Sequence, residues 1–422
     1  MRISTTQMFQ NGIETMQRKQ AEMSRTQNQL STGRRILSPS DDPSGSVQTL
    51  QFESRIQQTK QFQRNGALAE QRLRLAEVTI AAIGDGMQRV RTLTVQANNA
   101  TQTDETRGYI ALEIRQIIQE MMELGNTKDA NGEYIFAGNQ SHIQPFTVGS
   151  DGKVIYQGDG EQREVSISPV RKVRLGDAGS TVFGDSGSQA LLNGNGVFTV
   201  SPDGDNTGSG IISSGTVTDI AAWEANTANA PYRLAFSEDV DGNLQYQVLD
   251  DADNPVDVIG ADGNPTPGPV PYVDGTAISF HGIQVQVTGT PADEDEFLIE
   301  PAQPHSVFDG LYKLVDALEG GTSGGGTTPV NNAINQALTE MDNMMEHLLS
   351  VRATVGTRLN AVESQNSLHA EQTLQLESTL SEIRDLDYAD AISRFSLQQV
   401  GLQAAQQTYV QVQRLSLFDY LR

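Results

Sequence analysis

The chain has 422 residues, a formal net charge of −24 and no cysteine. That charge argues against nucleic acid or an anionic membrane as partner, since both need a basic surface to neutralise phosphate; the missing cysteine excludes disulfides, thiolate metal sites and cysteine nucleophiles. The length allows about two to four domains, and the modest 37% hydrophobic content implies that some part is thin or elongated.

The charge is unevenly spread. Residues 201–320 hold 21 acidic side chains and two basic ones, Arg233 and Lys313, a local net of −19, whereas residues 1–60 hold eight basic against five acidic, a net of +3. The opening MRISTTQMFQNGIETMQRKQ has no apolar run of signal-peptide kind, and no segment reaches the ~18 apolar residues of a membrane span. These features predict a cytoplasmic protein unless a leaderless export route exists.

In chain order, Ile13, Met16, Gln20, Met23, Gln27 and Leu30 recur at alternating three and four spacing and predict one stripe of a first helix. Two glutamines make that stripe weak for an isolated helix. The helix should break at LSTGRRILSPSDDPSG, residues 30–45: Gly33 can leave the helical conformation, Pro39 disfavours helix at Ser38, and Ser40, Asp41 or Asp42 can cap a second helix with Pro43 in its first turn. This break is either a plain helix-loop-helix linker or an inter-subunit contact in which Arg34 and Arg35 pair with carboxylates on a neighbouring copy.

A better stripe follows at Leu73, Ala76, Ile80, Ile83, Met87, Val90, Thr94 and Ala97, and another at Ile110, Ile114, Ile117, Met121 and Leu124. Together they predict long antiparallel helices joined near TQTDET, residues 101–106. From residue 132 the pattern changes to short alternating runs with Gly, Asp and Pro at the breaks. RLAFSEDVDGNLQYQVLD, residues 233–250, reads as a hairpin with Asp241, Gly242 and Asn243 at its turn, and ISFHGIQVQVTG, residues 278–289, as a further strand region. A short helix is expected from Ser306, with Asp309 completing a capping box and Phe308, Leu311, Val315 and Leu318 on one face. GGTSGGGTTP, residues 320–329, reads as a flexible connector.

Helical spacing then returns at Leu338, Met341, Met345, Leu348, Arg352, Val355, Leu359 and Val362, and again at Leu376, Leu380 and Ile383. Near the end, Ile392, Phe395 and Leu402 share a face that Gln399 and Gln406 dilute. Both terminal helices should therefore order only when neighbours surround them. The expected fold is mainly α: an elongated antiparallel helical bundle formed by both chain ends, with an inserted β-rich domain. Its parts are terminal helices at 1–45 and 385–422, a helical rod with a β-hairpin region at 46–175 and 321–384, and a β-rich acidic outer domain at 176–320.

Chemistry finds little footing. The five histidines, 142, 281, 305, 347 and 369, form no HxH or HxxxH pair, so surface or interface roles are expected in place of metal ligation. DGDN at 203–206 and DADN at 251–254 resemble fragments of calcium loops but lack the Gly and Glu that complete one, which leaves turns as the reading. Asp387 and Asp390 of DLDYAD share a helical face, yet in a polar tail with no concave wall. No GxGxxG follows a strand and no GxSxG occurs, so neither a catalytic residue, a cofactor nor a metal is expected. An enzyme would need a pocket in the β-rich middle; a structural subunit would use the helical stripes directly, in a head-to-tail polymer.

Three motifs carry a resemblance: LSTGRRILSPSDDPSG at 30–45, VGTRLNAVE at 355–363, and SEIRDLDYADAISRF at 381–395. On these the chain resembles the bacterial flagellin superfamily, most closely its hook-filament junction family, the third hook-associated proteins, over residues 1–140 and 335–422. GEYIFAGNQSHIQPF at 132–146 and VIYQGD at 154–159 look like that family's entry to its β region, and the ending QTYVQVQRLSLFDYL departs from filament flagellins, which stand as the alternative. The resemblance implies a structural, non-enzymatic subunit exported through the flagellar type III apparatus without a cleaved leader. It also implies an export chaperone and a homo-oligomeric ring outside the cell, set between another hook-associated protein on the hook side and flagellin on the filament side. The assembly interface is expected around Leu30, Gly33, Arg34, Arg35, Asp41, Asp42, Arg384, Asp387, Phe395, Leu402 and Tyr409.

Overall fold

A computed structural model describes residues 5–99, 101–150, 152–184, 191–259, 264–320 and 328–420. The helices are α1 Thr5–Thr32, α2 Pro43–Ala97, α3 Asp104–Gly125, α4 Gly179–Val182, α5 Ile220–Asn226, α6 Val307–Glu319, α7 Thr328–Arg384 and α8 Tyr388–Tyr420. The chain is thus mainly α, with terminal helices around a central insert of antiparallel sheets. Most of the glycine-rich connector at 320–329 lies outside the described residues, and α7 begins at its penultimate position, Thr328. The chain divides into two compact units, residues 1–66 with 364–422, and residues 67–363.

In the larger unit the strong stripe of α2 is buried as its spacing requires: Leu73, Ile80, Ile83, Met87, Val90, Thr94 and Ala97 are all fully covered. Ile110, Ile114, Ile117 and Met121 of α3, the apolar face of α6, and Ile334, Met341, Leu348 and Val355 of α7 join the same core. The α2–α3 turn is fixed by a capping box at Thr103, whose side chain accepts from the Thr106 amide while the Thr106 hydroxyl accepts from the Thr103 amide. At α6 the cap is one-sided: the Ser306 hydroxyl accepts the Asp309 amide at 3.1 Å. Buried charge ties α7 to the loop before α4, where Arg358, from the VGTRLNAVE motif, grips Asp177 with both terminal nitrogens at 2.8 and 2.9 Å.

Among the described residues, two two-stranded sheets, Phe146–Val148 with Val154–Tyr156 and Glu164–Ser166 with Lys172–Arg174, precede two larger sheets. In one, Glu296–Pro301 lies between Phe198–Pro202 and Tyr232–Glu238, and Leu244–Leu249 continues on the outer side of Tyr232–Glu238. In the other, Ala277–Phe280 and Ile283–Thr288 form a hairpin flanked by Val258–Ile259, Ile211–Ile212 and Thr216–Val217. Inward residues of both sheets close on one core around Trp223, Tyr232, Phe236, Phe280 and Phe297. The expected hairpin turn holds because the Asp239 carboxylate accepts the amides of Asp241 and Asn243, each at 2.8 Å. Asp250 repeats this with Ala252 and Asn254, and Asp203 with Asp205, so the acidic loops satisfy themselves as turns. No group of side chains suited to a metal ion occurs among the described residues.

The histidines depart from expectation. His142 is exposed, but His305 and His369 are buried, and His281 and His347 are half-buried. His281 shares a hydrogen bond with the Tyr232 hydroxyl, and His347 Nε2 donates to the Thr181 carbonyl at 2.7 Å. His281 and His347 are thus interior polar contacts, and His347 supplies a donor to a backbone carbonyl that needs one.

That role belongs to a wider feature of α7. Asn332 accepts the Ile212 amide at 2.9 Å and donates to the Gly210 carbonyl at 3.2 Å, and Gln336 donates to the Thr199 hydroxyl at 2.8 Å. The Thr339 and Ser214 hydroxyls are joined by a hydrogen bond, Glu340 accepts the Gly194 amide, and Asn343 donates to the Gly194 carbonyl. Spacings of three and four, with Thr339 and Glu340 adjacent, put these residues on one polar stripe that fastens the insert to the helix. Spacing alone did not reveal it, because its partners are distant in sequence.

Candidate functional site, the paired helix breaks

The smaller unit contains the two motifs that interrupt helices, and the fold brings them together. Gly33 ends α1 at φ +70°, a conformation that glycine adopts without steric cost, with its amide still donating to the Gln29 carbonyl at 2.9 Å. The chain then runs extended against the residues between α7 and α8: the Arg35 amide donates to the Arg384 carbonyl at 2.8 Å and the Leu386 amide to the Gly33 carbonyl at 2.9 Å. Arg34 and Asp385 pair antiparallel at the centre of this short ladder.

Side chains lock each break. Asp42 caps α2 by accepting the Gly45 amide at 2.8 Å, with Pro43 first in the helix. Asp41 accepts the amides of Leu37 and Ser38 at 3.0 and 2.9 Å and pairs with Arg25 at 2.9 Å. Asp387 caps α8 through the Ala389 and Asp390 amides. Arg384 binds Asp385 at 2.9 Å and lies 3.4 Å from Glu53 of α2. The Ser38 and Leu37 amides and the Arg25 charge hold the Asp41 carboxyl below its ordinary range despite some desolvation. Burial works to raise Asp385, but hydrogen bonds from Arg384 and Ser381 and the charges of Arg384 and Arg34 outweigh it and bring it down.

The two arginines of the first motif have different fates. The Arg35 guanidinium donates to the Ile383 carbonyl at 2.7 Å and reaches Asp42 at 3.3 Å, so it has partners within its own chain. Arg34 is exposed, its charge beside Asp385.

The terminal stripes are shifted from their expected phase. On α1 the covered positions are Gly12, Met16, Lys19, Met23, Thr26, Gln29 and Leu30, while Ile13, Gln20 and Gln27 are exposed. On α8 they are Ala391, Phe395, Gln398, Leu402, Ala405 and Tyr409, while Ile392, Gln399 and Gln406 are exposed. The two helices pack on each other. A Cβ at Gly12 would stand 3.1 Å from the Tyr409 ring. Phe395, Leu402 and Tyr409 thus face α1 of the same chain. What α8 leaves open lies elsewhere: Ile392, Leu397, Val400 and Val410 are exposed, with Val400 on the side opposite α1.

Comparison with known proteins fits this arrangement of helical ends around an insert. The model of the bacterial flagellin N-terminal helical region matches residues 3–141, and that of the C-terminal helical region matches residues 334–421. The crystal structure of flagellar hook-associated protein 3 from Legionella pneumophila superposes with a TM-score of 0.70 at 30% identity, covering 79% of this chain and 98% of that one. The chain belongs to the flagellin family. Within that family its likeness is to junction proteins along the whole length: flagellar hook-associated protein 3 of Escherichia coli strain K12 is 25% identical over 99% of both chains. FlgL of Xanthomonas campestris superposes with a TM-score of 0.65 at 26% identity, over 78% of this chain and 99% of that one. Flagellin of Salmonella enteritidis is 29% identical over only 58% of this chain and 48% of its own. This flagellin-family chain is a structural protein of the flagellar hook-filament junction, not an enzyme.

Proposed function

We propose that this junction subunit self-assembles into a ring through its terminal helices, the outer apolar side of α8 being covered by neighbouring copies. The observation that carries this reading is that α8 keeps large apolar side chains exposed away from the face it packs on α1. Phe395, Leu402 and Tyr409 are spent on α1, yet Ile392, Leu397, Val400 and Val410 remain exposed. Apolar side chains left on the outer side of a packed helix mark a surface that a neighbour covers. In the same reading the hook side meets another hook-associated protein, the filament side meets flagellin, and Arg34 is free to contact a neighbour. Export to the cell exterior through the flagellar type III route with a chaperone on the C-terminal helix completes the proposal; until assembly, such a helix needs a cover.

Electron microscopy of cells producing the double variant Leu397→Glu, Val400→Glu tests it. Export into the medium, an unchanged helical circular dichroism spectrum and hooks without filaments are expected. Normal filaments from that variant would reject the assignment.

A further inference from the structure

The larger unit holds a buried titratable pair that assembly does not explain. His305 stands where the chain leaves the β-rich insert, directly before α6, and Glu340 lies on the polar stripe of α7; their side chains are 8% and 5% exposed, with Nε2 3.8 Å from Oε2. Around them the incoming and outgoing segments are joined: His305 donates its amide to the Leu191 carbonyl, Asn193 to that of Gln303, and Glu340 Oε1 accepts the Gly194 amide at 3.0 Å. Space is tight, because a Cβ on Gly310 would fall 3.1 Å from Glu340 Oε2 and 3.3 Å from His305 Nε2. Both ring nitrogens of His305 are buried without a hydrogen-bond partner among the described residues.

We propose that the His305–Glu340 pair is a proton-operated latch: with His305 neutral it holds both connecting segments of the insert on α7, and with His305 protonated it releases them. An imidazolium has two N–H groups to satisfy, and here one faces Glu340 from 3.8 Å while the other meets no acceptor. Protonation therefore either draws Glu340 and the ring together, at the expense of the bond from the Gly194 amide to Glu340, or turns the ring toward water, opening the joint. The charged groups around the ring are Glu340 on α7 and Asp309 and Lys313 on α6: the two carboxylates favour the cation, Lys313 opposes it, and burial dominates, keeping the imidazole below its ordinary value. The unfolded chain then binds the proton more readily, so the latch is strong above about pH 6.5 and weakens below it.

Hydrogen exchange with the full chain, corrected for intrinsic pH dependence, tests this at Gly194 and strand Phe198–Pro202. Between pH 7.5 and 5.5, exchange there should accelerate about tenfold in the wild type and stay nearly level in His305→Gln, with α2 and α3 unaffected in both. Equal acceleration in the variant overturns the latch. Should that variant not fold, the imidazole titration of His305 in the wild type decides by nuclear magnetic resonance: a midpoint below 6.5 supports the latch, and one at or above 6.5 refutes it.

Discussion

Leu386 donates its amide to the carbonyl of Gly33 at 2.9 Å, which joins the break between the first two helices to the break between the last two. Gly33 can present that carbonyl only because its φ is +70°, and a Cβ there would also press on the Tyr388 hydroxyl, 2.8 Å away. Gly33→Ala should cost about 1–2 kcal/mol and raise hydrogen exchange at Arg35 and Leu386, leaving strands of the β-rich insert unchanged. Undiminished protection at those two amides would separate the ladder from glycine's conformation.

The contrast between adjacent arginines is open to a paired measurement. Arg35 makes its bonds within the chain with a half-exposed side chain, so Arg35→Ala should lower stability by about 1 kcal/mol. Arg34→Ala should leave urea unfolding of the isolated subunit unchanged and act, if anywhere, on assembly. Equal destabilisation by both would contradict the division of roles.

Arg358 and Asp177 form a different kind of pair, 15% and 4% exposed. Removing one partner strands the other charge in the interior, which costs about 3–5 kcal/mol. Arg358→Ala should therefore lower the unfolding midpoint far more than any surface arginine, and Arg358→Lys should recover part, since one bond replaces two.

Acid should loosen the paired breaks. Asp41 and Asp385 have folded values below their ordinary 3.8, so their contribution is present above that pH and is lost as pH falls through the lower folded values. Urea midpoints at pH 7, 4 and 3 should fall most steeply over the last step in the wild type and less so in Asp41→Asn. A parallel decline would place the acid-sensitive groups elsewhere.

What could be read from the sequence follows from which contacts are periodic. The stripe from Leu73 to Ala97 was legible because nearly every member is apolar, and all of it is buried. At the chain ends apolar and polar residues compete for the stripe. Ile13 and Ile392 suggested a phase one residue off, because the true seams use the Lys19 stem, Thr26, Gly12, Ala391 and Ala405, small or amphipathic residues that hydropathy undercounts. Asp42, Pro43 and Gly33 were legible from local turn chemistry, whereas the partners of Arg35, Asn332 and Glu340 were not, since each is a backbone group brought near by the fold.

The central claim is that copies of this chain cover the outer side of α8. The absence of cysteine allows a single thiol to be placed at will: Val400→Cys on that side, and Val240→Cys, at the tip of an exposed turn of the insert, as control. Maleimide labelling of monomer and of assembled flagella should show both thiols reactive in the monomer and only the one at 240 reactive after assembly. Unchanged reactivity at 400 in the assembled flagellum would contradict the account.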